Sequence, residues 1–287
     1  MKSKYSSTKM FMQRLSDRMK AVSNVFRKMA LSTPVGANLS LGRMERKNPL
    51  FEAVEIETTT ICNRKCSYCP NANLARPAKN MDEALFRSII DSLGEIGFSG
   101  RVSPHFYGEP LVDKRILKFL AYTRERLPKA LIKLFTNGDL LTYELFLKLL
   151  DAGVDVVRIA QHDPRPPKTV VETLRRIKEN GLMRHVEYVK YYNNEKDLTN
   201  RGGLVDVKPS KRKIFCDYVS CATVDYEGNV LLCCQDYLSK HRFGNLKKER
   251  LVDVWNNARY KALRDKIKCG MWPLEICRVC AGVRKAS

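Results

Sequence analysis

Three cysteines, Cys62, Cys66 and Cys69, stand in TTTICNRKCSYCP with three and two residues between them. Thiolates this close can hold three irons of a 4Fe–4S cluster and leave the fourth iron open to a substrate or cofactor. A zinc site usually recruits a fourth Cys or His nearby. No histidine lies between residues 50 and 104, so zinc here would need a remote ligand. The other seven cysteines follow residue 210. Among them Cys277 and Cys280 form a C-x2-C knuckle, and Cys216 and Cys234 flank a hairpin signal 18 positions apart. Those four thiolates suffice for a second 4Fe–4S cluster or for zinc. Ten cysteines in a long chain without an export signal read as metal binding rather than disulfides.

The elements that must position these thiols alternate. EAVEIE (52–57) predicts a strand, and MDEALFRSIIDSLGEIG (81–97) a helix with Asn80 as its N-cap. RVSPHFYG, ALIKLFTNG, VDVVRIA and HVEYVKYY predict further strands, and RILKFLAYTRERL, YELFLKLLDAG and TVVETLRRIKENG predict the helices between them. GLVDV (203–207) is a candidate sixth strand. Strands alternating with helices imply parallel βα units with right-handed crossovers, hence an α/β fold of partial-barrel or open-sheet form. The cysteine triplet then falls in the loop after strand one, at the strand ends where such folds place their chemistry.

After residue 210 the pattern changes. ATVDYEGNVLLCC predicts two short strands joined at Glu227-Gly228-Asn229, and LVDVWNNARYKALRDKI (251–267) one amphipathic helix. A hairpin-plus-helix module this small has little core of its own, and a metal staple would serve it. The expected organisation is therefore a basic N-terminal helix and linker (1–50), a βα partial barrel (51–210) and a C-terminal cysteine module (211–287).

The chain carries 52 Lys+Arg against 31 Asp+Glu, a net charge of +21. The excess sits at the ends: residues 1–50 hold 11 basic and 2 acidic residues, residues 201–287 hold 18 and 9. This field favours anionic partners such as phosphorylated substrates, nucleic acid or anionic lipid, or it is only a solvated surface. Within residues 8–31, Phe11, Leu15, Met19, Val22, Phe26 and Ala30 fall on one helical face opposite Arg and Lys. Such a helix either packs on the domain or rests on a membrane surface. The sequence offers no apolar run of spanning length and no secretory signal, so a cytoplasmic location is expected.

C-x3-C-x2-C directly after strand one is the signature of the radical S-adenosylmethionine (SAM) superfamily, which the chain resembles over about residues 50–283. Tyr68 stands where that family commonly has an aromatic residue beside the last cysteine. Tyr107-Gly108-Glu109-Pro110 resembles its Gly-Gly-Glu-Pro motif, with Tyr in place of the first glycine. The resemblance implies a partial parallel (β/α)6 barrel. It implies a 4Fe–4S cluster on Cys62, Cys66 and Cys69, with SAM chelated at the open iron and cleaved to a 5′-deoxyadenosyl radical. It places Gly108 and Glu109 at the SAM amine and Asn137, Gln161, His162 and Arg201 among the cofactor-binding positions. The C-terminal segment resembles the SPASM/twitch extension. That implies a second, auxiliary 4Fe–4S cluster on Cys216, Cys234, Cys277 and Cys280, with Cys221 as the rival for one place. Cys221, Cys233 and Cys269 are also candidate hydrogen donors to a substrate radical, or plain buried thiols.

The expected function is abstraction of a hydrogen atom from a small molecule, to oxidise or epimerise a sugar, aminocyclitol or nucleotide conjugate. The basic ends favour a phosphorylated one. An electron donor such as flavodoxin or ferredoxin is implied. Modification of a ribosomally made peptide is the second enzyme reading; residues 1–50 are too short for the leader-binding segment it needs. A zinc-stabilised nucleic-acid-binding protein is the non-enzyme alternative, but no RNA or DNA module follows from the residues, so no nucleic-acid partner is expected.

Overall fold

The computed structural model describes residues 50–74, 76–192, 198–207 and 213–283. The expected N-terminal helix and linker lie outside these residues. Eight strands form one sheet in the order β5-β4-β3-β2-β1-β6-β7-β8. The strands are β1 (Ala53–Ile56), β2 (Arg101–Ser103), β3 (Leu131–Thr136), β4 (Val156–Gln161), β5 (Val186–Lys190), β6 (Cys221–Val224), β7 (Asn229–Leu231) and β8 (Arg242–Asn245). Every pairing from β5 across to β6 is parallel, and β7 and β8 continue antiparallel. Helices α1 (Glu83–Glu95), α2 (Ile116–Arg126), α3 (Tyr143–Asp151) and α4 (Lys168–Glu179) make the four crossovers.

The sixth parallel strand is β6, not GLVDV. Residues 201–203 form a 3-10 turn with Gly202 and Gly203 at positive φ, which breaks extended pairing there. β6 pairs instead along the whole of β1, with Glu55 opposite Thr223. It is also the first strand of the expected hairpin. Gly228, at φ +86°, closes the turn by donating its N–H to the Asp225 carbonyl at 2.9 Å. One strand thus serves both the barrel and the cysteine-rich segment.

Two helix details differ from the sequence reading. Asp82, not Asn80, caps α1, accepting from the Leu85 N–H at 3.0 Å. Asn80 is extended, in a bridge with Thr59 that ties the cysteine loop's approach to the helix start. The single helix expected at 251–267 is two, α5 (Leu251–Asn256) and α6 (Ala258–Lys268). Asn257 breaks them with φ −60° and ψ 144°, then caps α6 through the Tyr260 N–H at 2.8 Å.

Strand alternation sorts the side chains. Val54, Ile56 and Val102 pack outward with Phe86, Ile90 and Phe119 of the helices. The same apolar cluster takes in Val224 and Val230 of the hairpin and Leu251, Trp255 and Tyr260 of α5 and α6. The C-terminal segment therefore shares the barrel's core rather than building a small one alone. A second cluster fills the space between β3, β4 and helices α2 to α4.

Phe86 and Phe119 stack at 4.2 Å between ring centroids, 13° from parallel, where α1 meets α2. Both rings are about 1% exposed. Phe119→Ala is expected to cost about 3–5 kcal/mol of stability in chemical denaturation of the anaerobic protein. A loss below about 1 kcal/mol would mean the crossing repacks freely.

Candidate active site

The loop that carries Cys62, Cys66 and Cys69 is pinned on three sides. Arg64 donates in a bidentate pair to Asp139 after β3, at 2.6 Å to each oxygen, and to Asp163 after β4 at 2.7 Å. Asn137 donates its side-chain amide to Asn63 at 2.8 Å. Asn71 donates to the Tyr107 carbonyl after β2 and accepts from the Tyr237 hydroxyl, both at 2.8 Å. The buried Glu57 carboxylate just upstream forms a bidentate pair with Arg76 at 2.6 and 2.7 Å. Paired and hydrogen-bonded this way, the loop is ordered by partners on β2, β3, β4 and the C-terminal segment.

The three thiols line one cavity of about 430 Å³ at the C-terminal ends of the strands. Burial pushes each of them above the ordinary thiol range. Glu109 and Cys69 raise the Cys62 thiol further, Cys69 and Cys62 raise the Cys66 thiol, and Arg64 or Arg201 pulls the other way on all three. Each thiol must give up its proton to bind iron, so assembly of a cluster here releases protons. The Cys62 sulfur accepts from the Arg64 N–H at 3.4 Å. Among the described residues no three His, Cys, Asp or Glu side chains converge on one metal-ion position. In a cubane each thiolate binds its own iron, so three thiols around one cavity suit that cluster.

Gly108 sits against the chain leaving β1. A Cβ there would stand 2.0 Å from the Thr59 carbonyl oxygen, so no other residue fits. The close approach lets the Glu109 N–H donate to the Ile61 carbonyl at 2.8 Å. The buried Glu109 carboxylate accepts from Thr136 Oγ1 at 2.7 Å, the Asn137 N–H at 2.8 Å and the Leu111 N–H at 3.1 Å. Burial raises its pKa to about 7, with the Asn137 and Thr136 hydrogen bonds opposing. It is a preorganised acceptor on the cavity wall facing Cys62. Tyr107, which replaces the motif's first glycine, is buried and donates its hydroxyl to the Cys234 carbonyl at 2.8 Å. Its ring meets Tyr237 edge-on at 4.7 Å. The departure from glycine bonds the two cysteine-bearing regions together.

Tyr68, Asn137, His162 and Arg201 also line the cavity. Tyr68 and His162 hydrogen-bond through the phenol oxygen and Nδ1. Burial, then the nearby Arg64, lowers the His162 pKa to about 4, so it is neutral at physiological pH. Arg201 takes a left-handed backbone conformation, φ +50°, and its guanidinium lies 5.5 Å from the Tyr107 ring centroid. Gln161 does not reach the cavity. Its amide donates to the Asp163 and Pro164 carbonyls at 2.7 and 3.1 Å and accepts from Tyr188 at 2.8 Å, which staples the loop after β4.

Cys234 is the C-terminal thiol in the cavity wall. Burial and the facing Glu55 raise its pKa to about 12. Cys277, Cys216 and Cys280 lie within electrostatic reach of one another, and burial lifts Cys277 to about 12. β7 ends at Leu231, so Cys233 and Cys234 stand in the bend beyond it rather than on a strand. The Cys233 thiol feels Cys280 and Cys216, while the strongest charged neighbours of Cys234 are Glu55 and Arg201. Cys221 is buried on β6, with its sulfur 3.8 Å from the Ala222 carbonyl. Cys269 is exposed at the end of α6.

The sequence reading passed over the barrel interior. Glu55, Arg101, Lys133 and Arg158 point into the cavity from β1 to β4. The signal was present as single charges inside apolar runs, Val54-Glu55-Ile56, Ile132-Lys133-Leu134 and Val157-Arg158-Ile159.

A parallel partial barrel with a three-cysteine loop after β1, a buried glutamate after β2 and a second thiol group on the same cavity defines an iron–sulfur enzyme of the SAM-cleaving type. The chain belongs to the radical SAM superfamily, whose model matches residues 56–199, and an iron–sulfur cluster-binding SPASM domain matches residues 216–281. It is 33% identical over 240 residues to an S-adenosyl-L-methionine-dependent 2-deoxy-scyllo-inosamine dehydrogenase from Niallia circulans, covering 82% of this chain and 94% of that protein. The structure is similar to crystal structures of BtrN. One, in complex with AdoMet and 2-DOIA, gives a TM-score of 0.73 at 32% identity over 80% of this chain and 92% of that one. Another, in an open conformation, gives 0.64 at 28% identity over 81% and 93%. The cofactors are therefore SAM, the 4Fe–4S cluster at which it is cleaved, and an auxiliary iron–sulfur cluster. No helix among the described residues is long and apolar enough to cross a membrane.

The raised Glu109 pKa has a definite sign. Below about 7 the apo carboxyl holds a proton, and a cation that binds it must displace that proton. SAM affinity is expected to be level above that pH and to fall by up to about tenfold per pH unit below it. Glu109→Gln should bind more weakly and lose this dependence in calorimetric titration. The same shift lowers folding stability as pH rises from 4.5 to about 7, because the folded protein retains a proton that the unfolded chain releases.

Proposed function

We propose that the chain is a SAM-dependent dehydrogenase of a small polyol, a sugar or cyclitol. It takes one hydrogen atom, one proton and one electron from a secondary alcohol and leaves a ketone. The observation that carries this reading is that thiols of both cysteine groups, Cys62, Cys66 and Cys69 on one side and Cys234 on the other, stand in the wall of one cavity. The dehydrogenase activity in the name of the Niallia circulans relative supports it. When bound, the cofactors supply reductive cleavage of SAM to methionine and a 5′-deoxyadenosyl radical at the first site and uptake of one electron at the second.

The chain's own groups do the placing. Glu109 accepts the SAM ammonium, and Tyr68, Asn137, His162 and Arg201 border the space left for its adenosyl and carboxylate parts. Phe106, Tyr107, Phe135, Tyr191 and Tyr218 give the cavity its apolar wall. Cys216, Cys277 and Cys280, with Cys234 as fourth ligand, hold the auxiliary cluster, and a flavodoxin or ferredoxin supplies the first electron. Epimerisation would need a thiol poised to return a hydrogen atom. None of Cys221, Cys233 and Cys269 lies in the cavity wall, which favours oxidation.

Anaerobic reconstitution should yield about eight irons per chain, falling to about four in the Cys62/Cys66/Cys69→Ala triple variant. Cys234→Ala should also fall to about four, while Cys233→Ala keeps about eight; the reverse order would move the fourth ligand to Cys233. With a substrate deuterated at the carbinol carbon, one deuterium should appear in 5′-deoxyadenosine for each ketone and each methionine formed. A product of unchanged oxidation state and inverted configuration would overturn the dehydrogenase reading.

A further inference from the structure

The interior of a parallel barrel is ordinarily filled by stacked Val, Ile and Leu. Here the inward positions of adjacent strands are charged. Arg101 donates to Glu55 at 3.1 Å and to Ser103 at 2.7 Å. Lys133 donates to both oxygens of Glu187 at 2.7 Å. Arg158, in register with Glu187 across β4 and β5, approaches the same carboxylate at 3.5 Å and donates to the Tyr191 hydroxyl at 3.3 Å. Arg101, Lys133 and Arg158 thus stand against two carboxylates, Glu55 and Glu187, and Arg201 adds its charge to the same cavity from the SAM side. The buried Nε of Arg201 has no hydrogen-bond partner among the described residues.

The set is also short of partners. The Nε atoms of Arg158 and Arg201, one oxygen of Glu55 and Nδ1 of His105 are buried without a hydrogen bond. His105 stacks on Phe135 at 4.7 Å and feels Arg201, Arg101 and Arg158 together. All these groups except Ser103 and Glu187 line the cavity that holds the cysteine triplet. Buried cationic donors without acceptors are costly unless a ligand completes them.

We propose, resting on the dehydrogenase reading above, that the substrate polyol carries a phosphate monoester seated on the inward cations of β2, β3 and β4. A monoester brings a charge of about −1.5 to −2 at pH 7 and three acceptor oxygens, which match the excess of cations and the free N–H donors. The unpartnered oxygen of Glu55 and Nδ1 of His105 are left to accept from or donate to ring hydroxyls. An amine-bearing ring, the substrate class in the name of the Niallia circulans relative, would meet its own sign of charge here.

The test is calorimetric titration of the reconstituted, SAM-loaded protein with oxidised clusters and no reductant. The probes are inorganic phosphate, an inositol monophosphate, inositol and 2-deoxy-scyllo-inosamine. Both phosphates are expected to bind at one site per chain, and the inositol phosphate at least tenfold tighter than either uncharged or amine-bearing ring. Lys133→Gln and Arg158→Gln should each weaken phosphate binding at least fivefold, with iron content and SAM affinity reporting that the variants are folded. Phosphate binding that is absent, or equal in wild type and both variants, overturns the proposal, and so does inositol or the amine binding as tightly as the phosphate. Because no turnover is involved, the dehydrogenase reading fails separately, in the deuterium-transfer assay.

Discussion

Gly108 lies so close to the chain leaving β1 that a Cβ would stand 2.0 Å from the Thr59 carbonyl. That approach of two backbones ties the end of β2 to the start of the cysteine loop. It puts the Glu109 N–H on the Ile61 carbonyl one residue before Cys62, so the cysteine loop and the buried Glu109 carboxylate are bonded at their roots. It also fixes where Tyr107 points, and Tyr107 reaches the Cys234 carbonyl. A side chain at 108 would separate β2's end from the loop, and the three cysteines of the loop, Glu109 and the bond from Tyr107 to Cys234 would shift together.

Part of the loop's other anchoring is charged and lies at the cavity rim. Arg64 joins it to Asp139 and Asp163, and its guanidinium is only partly buried. Such pairs hold geometry better than they add stability. The deeper bonds, Asn71 with Tyr107 and Tyr237, and Glu57 with Arg76, lie where water does not compete. Rigid placement matters more for radical chemistry than for most reactions, since a misplaced substrate exposes the radical to the wrong hydrogen atom.

The shared strand β6 gives the two cysteine groups a fixed relation. It lies parallel to β1 along four residues and turns directly into β7, which leads to Cys233 and Cys234. The apolar cluster that includes Phe86 and Ile90 continues to Trp255 and Tyr260. Motion of the C-terminal segment against the barrel would therefore expose a common core. The place of the C-terminal thiols relative to the cavity is thus set by a sheet rather than by a linker.

Much of this was legible in the residues. The spacing of Cys62, Cys66 and Cys69 states its chemistry, because neighbouring ligands must be close in sequence to share one loop. The strand and helix alternation was equally plain, since side-chain periodicity is a local property. The hairpin at Glu227-Gly228-Asn229 followed for the same reason. Long-range pairing was not legible. Nothing in GLVDV or CATV says which one lies beside β1; backbone hydrogen bonds are alike for both, and Gly202 and Gly203 decided it by turning the chain away. The sequence likewise determined that Glu55, Lys133 and Arg158 sit opposite apolar neighbours. Only the closing of the strands decided that those charges converge on one cavity, because an inward direction exists only once the sheet has curved.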